Sequence, residues 1–238
     1  MNSLKKVLLK KIEIEGENSF LRKYYRYFKN FKGKPDFKIK LKDYIYVDFY
    51  IREKIFPKID DFLIFHASSI SDGKNVFLIG GRTSVGKSLL TIFLSKNFFY
   101  TSDDISPCFL KDKIYLIPYP IPISIHKDFK KYLSDEEIIE EENFEKIFVF
   151  PKNIINDKYL TLKSFIFPIP SRINKFEVMD KRKSFLYLWG IFINRKKYVQ
   201  KNGFNDLKRI VFEIPFYRIY YKDIDYLISN GNKILRGI

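Results

Sequence analysis

Val76-Phe77-Leu78-Ile79-Gly80 runs directly into Gly81-Arg82-Thr83-Ser84-Val85-Gly86-Lys87-Ser88, and the reading of this stretch decides the fold. The first five residues are apolar and short, as in a buried strand. The next eight fit G-x-x-x-x-G-K-[ST] at every fixed position. Between Ser88 and Lys96, the residues Leu89, Leu90, Phe93 and Leu94 recur at helical spacing. Strand, glycine-rich turn and helix start thus come in the order that a phosphate-cradling loop requires. Backbone N–H groups of such a loop point at phosphate oxygens, and the helix N-terminus adds partial positive charge. On this pattern Lys87 reaches the terminal phosphates of a nucleoside triphosphate, and the Ser88 hydroxyl sits on Mg²⁺. Gly81, Arg82, Thr83, Ser84, Val85, Gly86, Lys87, Ser88 and Leu89 are therefore the expected nucleotide-binding set.

Working outward, Phe62 to Ile70 and Asn75 to Gly80 flank Ser71-Asp72-Gly73-Lys74, whose Asp-Gly dipeptide is a hairpin signal. The loop is expected to leave the second arm of that hairpin. Beyond the loop helix, Phe98 to Ser102 reads as a strand ending on Asp103-Asp104. Phe109-Leu110 and Lys113 to Ile117 predict another hairpin, and Pro118, Pro120 and Pro122 an extended, irregular segment. Asp135 to Glu145 is an acidic run, read as a solvated helix face rather than a metal loop. Strands are expected at Thr161 to Phe167, Phe176 to Met179 and Pro215 to Tyr221, and helices at Lys183 to Asn194 and Asp223 to Asn230. Before residue 60 the expected elements are a basic aromatic helix, Ser19 to Phe31, and strands at Phe37 to Leu41 and Tyr44 to Tyr50. The expected organisation is a core at 61–238 with residues 1–60 as its β/α flank.

The 238 residues include 25 Phe and 17 Tyr, the composition of a chain that folds around a real core. Lys and Arg number 44 against 28 acids, a net charge of +16. That balance favours anionic partners, although the basic residues are spread along the chain, as a Lys-, Ile- and Asn-rich composition also produces. Cys108 is the sole cysteine, which excludes a disulfide framework and a thiolate metal site. His66 and His126 are too few for a His-rich zinc centre. Met1 to Ile12 has a short apolar run, but Lys10 and Lys11 cut it and no small-residue cleavage site follows. No stretch approaches the apolar length of a spanning helix. A cytoplasmic protein is the expectation.

Two further features lie at sensible distances from Lys87. Asp103 and Asp104 close the strand that follows the loop helix, where an acidic residue can hold Mg²⁺ or accept a proton. Neighbours at a strand end point to opposite faces, so two roles are open; a solvated pair in a turn is the plainer alternative. His66 lies in the first arm of the hairpin, where a lone histidine is more often a satisfied core residue than a catalytic one.

Together, Phe65-His66-Ala67-Ser68-Ser69, Asp72-Gly73-Lys74, the Gly81–Ser88 loop and Thr101-Ser102-Asp103-Asp104 resemble the kinase domain of the HPr kinase/phosphorylase family, in a divergent form. The ending Ile214-Pro215-Phe216-Tyr217-Arg218-Ile219 is similar to that family's closing strand. The resemblance is clear over 60–125 and looser from 160 onward. It implies an α/β fold of the HPr kinase and phosphoenolpyruvate carboxykinase type, with mixed twisted sheets and flanking helices. It also implies ATP with Mg²⁺ as cofactors and transfer of the γ-phosphoryl group to a serine hydroxyl. Carried over residue by residue, Lys87 binds the β- and γ-phosphates and Ser88 ligates Mg²⁺. Asp103 is the base with His66 beside it, and Asp104 serves Mg²⁺. Arg172, in Pro168-Ile169-Pro170-Ser171-Arg172, is a candidate to close on the phosphates. Ser84 stands where the family has an inner glycine, and its glycine-containing phosphorolysis signature and N-terminal domain have no match here. These departures imply a relative with another acceptor, such as a biosynthetic precursor peptide.

The expected activity is therefore an ATP-dependent serine kinase acting on a peptide or protein, with +16 suiting an acidic acceptor. A catalytically silent ATP-binding switch or scaffold is the first alternative. The second is a nucleic-acid-associated ATPase or RNA kinase, suggested by Arg22-Lys23-Tyr24-Tyr25-Arg26-Tyr27 and less favoured than a helix with one aromatic and one basic face. A homo-oligomer is compatible with the family, although no residue here carries that feature over.

Overall fold

The structure, a computed structural model, describes residues 12–15, 37–40, 56–133, 138–139, 145–227 and 236. In chain order the strands are β1 (Ile12–Glu15), β2 (Phe37–Lys40), β3 (Leu63–Phe65), β4 (Ala67–Ser71), β5 (Asn75–Gly80), β6 (Phe99–Ser102) and β7 (Ser106–Leu110). They continue with β8 (Ile114–Leu116), β9 (Ile123–His126), β10 (Ile138–Ile139), β11 (Lys146–Val149), β12 (Leu160–Pro170), β13 (Lys175–Val178) and β14 (Phe216–Tyr221). The helices are α1 (Lys87–Leu94), α2 (Lys181–Ile191), α3 (Arg195–Asn202) and α4 (Asn205–Glu213).

Among the described residues, nine strands form one mixed sheet in the order β3-β7-β8-β12-β5-β4-β6, with β14 beside β12 and β13 outside β14. The β5–β12 and β12–β14 pairs are parallel. The remaining pairs of this sheet are antiparallel. β10, β11 and β9 form a smaller antiparallel sheet, and β1 lies parallel to β2. The fold is mixed α/β, as the sequence implied, and the expected strands and hairpins of the core are found within a few residues of their predicted bounds.

The two central strands, β5 and β12, carry apolar runs at Val76–Gly80 and Phe165–Pro168, and both runs are buried on both faces. On β5, Val76 and Leu78 point to the side covered by α2, α3 and α4, where they join Phe165, Phe167, Leu188, Leu207 and Ile210. Phe77 and Ile79 point to the other side and pack with Leu90 and Leu94 of α1 and with Ile166 and Ile219. A period of two along a strand thus builds two separate cores. Phe165 stacks on Phe216 at 4.5 Å between ring centres and meets Phe65 edge-on at 5.6 Å. A third cluster joins Ile92 of α1 and Tyr100 of β6 to Ile123, Ile125, Ile147 and Val149 of the smaller sheet.

One predicted strand is two. The run Phe62 to Ile70 bends at His66, whose N–H leaves the sheet and donates to Ile191 O at 2.7 Å. β3 before the bend pairs with β7, while β4 after it pairs with β5 and β6. The sheet therefore curls until its first and sixth strands are joined through one residue. Asn194 holds the entry to this bend. Its Nδ2 donates to Ile59 O (2.6 Å) and Phe62 O (2.7 Å), and its Oδ1 accepts from Ile64 N (3.0 Å). Phe56 and Ile59, on the flank side of the expected boundary at residue 60, are buried with the core.

The expected helix Lys183 to Asn194 is α2, which already ends at Ile191, and neither α3 nor α4 was anticipated. The expected elements at Ser19 to Phe31 and Tyr44 to Tyr50 lie outside the described residues, as does most of the acidic run. The helix expected from Asp223 is described only as far as residue 227.

Candidate functional site

β5 hands the chain to the Gly81–Ser88 loop at the edge where α1 begins. Gly86 caps the helix with φ 80° and no side chain to donate or accept. A Cβ there would lie 3.1 Å from both the Tyr221 hydroxyl oxygen and Leu227 Cδ2, so glycine meets both the backbone and the space requirement. Ser84 also adopts a left-handed conformation, with φ 64°. This serine thus keeps a glycine-like backbone, at a cost of about 1 kcal/mol. The loop is braced from outside by the Tyr221 hydroxyl, which donates to Val85 O at 3.1 Å.

Arg82, Thr83 and Ser84 are exposed at the loop tip, while Lys87 and Leu89 are buried. Lys87 folds back over the loop, its Nζ donating to Arg82 O at 3.0 Å. Leu90 N–H bonds back to Gly86 O at 2.9 Å, which leaves the first-turn amides of α1 directed toward the loop, as at any helix N-terminus.

The end of β6 brings two carboxylates to the same place and then separates them. Ile105 N–H donates to Asp103 O at 2.6 Å, closing a tight turn centred on Asp104, whose φ is 55°. Asp103 consequently stays inside, 2% exposed. It accepts a hydrogen bond from the Ser68 hydroxyl, and Ser88 Oγ stands 3.4 Å from both of its oxygens. Burial, and then the neighbouring Asp104 charge, push its carboxyl up to about 7, against the opposing pull of Ser68 and Lys87. Asp104 turns outward, and its Oδ1 lies 3.2 Å from His66 Nε2. The His66 and Asp104 side chains are 24% and 31% exposed, accessible to a ligand.

The fold therefore collects Lys87, Ser88, Asp103, Asp104 and His66 at one end of the sheet. His66 stands against Asp104, while Asp103 faces Ser88, whereas the resemblance sets His66 beside Asp103. The turn at Asp104 is the cause, since it redirects the second carboxylate toward the bend at His66. Arg172 is exposed in the turn between β12 and β13, beside Ser171, whose N–H donates to Tyr221 O at 2.8 Å. Ser68 and Tyr221 were missed as contributors. Ser68 was legible in part, two positions from His66 on the same strand; the Tyr221 contact joins residues 136 positions apart and left no local trace.

Among the described residues, no group of three or more His, Cys, Asp or Glu side chains is placed to hold a metal ion. The Ser88–Asp103 pair is instead the oxygen set expected where protein supplies one or two ligands to Mg²⁺, and phosphates and water the rest.

A cavity of about 600 Å³ opens beside the loop, between it, the end of β12 and α2. Gly81, Arg82 and Thr83 form one wall, His66 stands at another, and Phe167, Ile169, Leu186 and Ile191 are among the apolar lining.

No protein-family model matches the chain, and no curated protein does. Among solved structures, the chain is similar to the HPr(Ser) kinase/phosphatase from Coxiella burnetii at 12% identity and a TM-score of 0.37, over 73% of this chain and 95% of that one. Among the described residues, no helix is long and apolar enough to cross a membrane.

Proposed function

We propose that this protein is an ATP-dependent kinase that transfers a phosphoryl group to a hydroxyl, with a serine of a peptide or protein as the acceptor. The observation that carries the reading is the convergence of a glycine-rich loop, Lys87 and Ser88 with two carboxylates that differ in burial and in partner. A site that only bound nucleotide would have no use for an accessible carboxylate oriented by a histidine.

In this reading the backbone of Gly81–Ser88 and the Lys87 ammonium bind the β- and γ-phosphates. Ser88 and Asp103 hold Mg²⁺, which supplies charge neutralisation on the phosphate oxygens when bound. The acceptor hydroxyl oxygen forms the new bond to the γ-phosphorus. The bond from that phosphorus to the β–γ bridging oxygen breaks, and its electron pair leaves with ADP. The hydroxyl proton passes to the Asp104 carboxylate, which His66 orients. This division of labour reverses the one that the family resemblance implied, because the geometry at the turn favours it.

The test incubates the protein with γ-labelled ATP and Mg²⁺, using a lysate of its own source as the acceptor pool. Label on a serine that Lys87→Ala and Asp104→Asn both abolish supports the reading. Tight ATP binding with no label moved to any fraction, RNA included, overturns it in favour of a nucleotide-binding switch.

A further inference from the structure

We propose that the cavity beside the Gly81–Ser88 loop is the acceptor's specificity pocket, receiving an aliphatic or aromatic side chain that neighbours the phosphorylated hydroxyl. The inference rests on the kinase reading and adds the chemistry of the acceptor. With a volume of about 600 Å³, the cavity is ample for one large side chain. Phe167, Ile169, Leu186 and Ile191 present apolar surface to it, and Leu186 is left 62% exposed at its rim. Lone exposed apolar residues need no explanation, but one at the mouth of an apolar cavity adjoining a reactive pair does.

Two features assign the cavity to the acceptor rather than to the nucleobase. His66 lines it, so whatever fills it lies beside the His66–Asp104 pair, where a hydroxyl must shed its proton. Arg82 and Thr83, from the tip of the loop, line it as well, which sets it at the loop's open end rather than along α1. The acidic acceptor expected from net charge alone finds little purchase in such a wall; Arg82 is the cation that lines it. Charge can steer approach over long range, while the apolar pocket selects.

Gly190 supplies the means to test this. It lines the cavity from α2, and a Cβ added there meets no atom within 4 Å. Gly190→Leu therefore starts its side chain in open space on the cavity's wall, and removes a glycine from a helix.

The experiment presents wild type with γ-labelled ATP, Mg²⁺ and a peptide library holding one serine, with each flanking position varied in turn. Wild type is expected to favour Leu, Ile or Phe over Ala at one fixed offset from the serine by roughly 10–200-fold in kcat/KM. Gly190→Leu should erase that preference while the Kd for ATP stays within about twofold. Leu186→Glu, at an exposed position, should shift the preference at the same offset toward Lys or Arg. Phosphorylation without an apolar preference, or a preference that survives both substitutions, overturns the pocket and leaves the kinase standing. A tenfold rise in the ATP Kd of Gly190→Leu overturns it too, by giving the cavity to the nucleobase. Label that reaches no peptide also overturns it, and failure on the lysate as well sinks the kinase reading.

Discussion

His66 Nε2 and Asp104 Oδ1 lie 3.2 Å apart, although 38 positions of sequence separate the two residues. One stands at the bend between β3 and β4, the other in the left-handed turn after β6. Neither position is regular structure, and each is bent in a way that brings it toward the other.

If Asp104 is the proton acceptor, Asp104→Asn should lower the rate of phosphoryl transfer by about 10²–10⁴-fold and leave ATP affinity nearly unchanged. Asp103→Asn should instead weaken ATP binding in a Mg²⁺-dependent way, with the loss diminishing at high Mg²⁺. Single-turnover transfer and equilibrium nucleotide binding on both variants check the assignment. The opposite pattern would restore the roles that the family resemblance implied.

The buried Asp103 carboxyl should also shape stability against pH. Its folded value of about 7 stands above the ordinary 3.8, so the folded state holds the proton more tightly than the unfolded chain. The stability it contributes is fully present below about pH 4 and is lost as pH rises through 7. Between pH 5 and 8 the wild type should lose on the order of 2 kcal/mol that Asp103→Asn does not. Urea midpoints of the two proteins across this range, without nucleotide, measure the difference.

How much of this was legible in the sequence depends on how local each signal was. The β5–loop–α1 unit is contiguous, and its apolar run and glycines announce it directly. The central strands were legible for the same reason, since burial on both faces leaves the apolar runs Val76–Gly80 in β5 and Phe165–Pro168 in β12. The bend at His66 was not, because it arises from a hydrogen bond to Ile191, 125 residues away (191 − 66). The pairing of the two aspartates was half legible. Adjacent carboxylates at a strand end had to diverge, but which one turned outward was decided by the backbone at Asp104. α4 escaped notice because Phe204 and Phe212, both exposed, blur the apolar stripe of Leu207, Ile210 and Val211.

The loop makes opposite demands at Ser84 and Gly86. Ser84→Gly should relieve a left-handed serine and leave stability within about 1 kcal/mol of wild type, since the gain is offset by added freedom in the unfolded chain. Gly86→Ala should cost roughly 1–3 kcal/mol, because the left-handed backbone and the Tyr221 hydroxyl both oppose a methyl group there. Thermal unfolding separates the two. ATP affinity should fall only in Gly86→Ala, where the loop must shift off the Val85–Tyr221 brace.

Asn194 holds the chain at the entry to the bend through its side-chain amide. It is 1% exposed and satisfies three backbone groups, at Ile59, Phe62 and Ile64. Asn194→Ala leaves all three without that partner, at about 1–3 kcal/mol for each group that water cannot reach. A net loss of roughly 3–5 kcal/mol is expected, which for a chain of this size lowers Tm by about 6–20 °C. Asn194→Asp keeps the acceptor for Ile64 N–H but removes both donors and adds a buried charge, so it should fare no better than alanine. Because Ile64 lies two residues before His66, amide exchange at Ile64 should rise in step with loss of phosphoryl transfer, while ATP affinity changes less. Unchanged exchange at Ile64 in a folded Asn194→Ala protein would show that the bend is held by β3 and β7 alone.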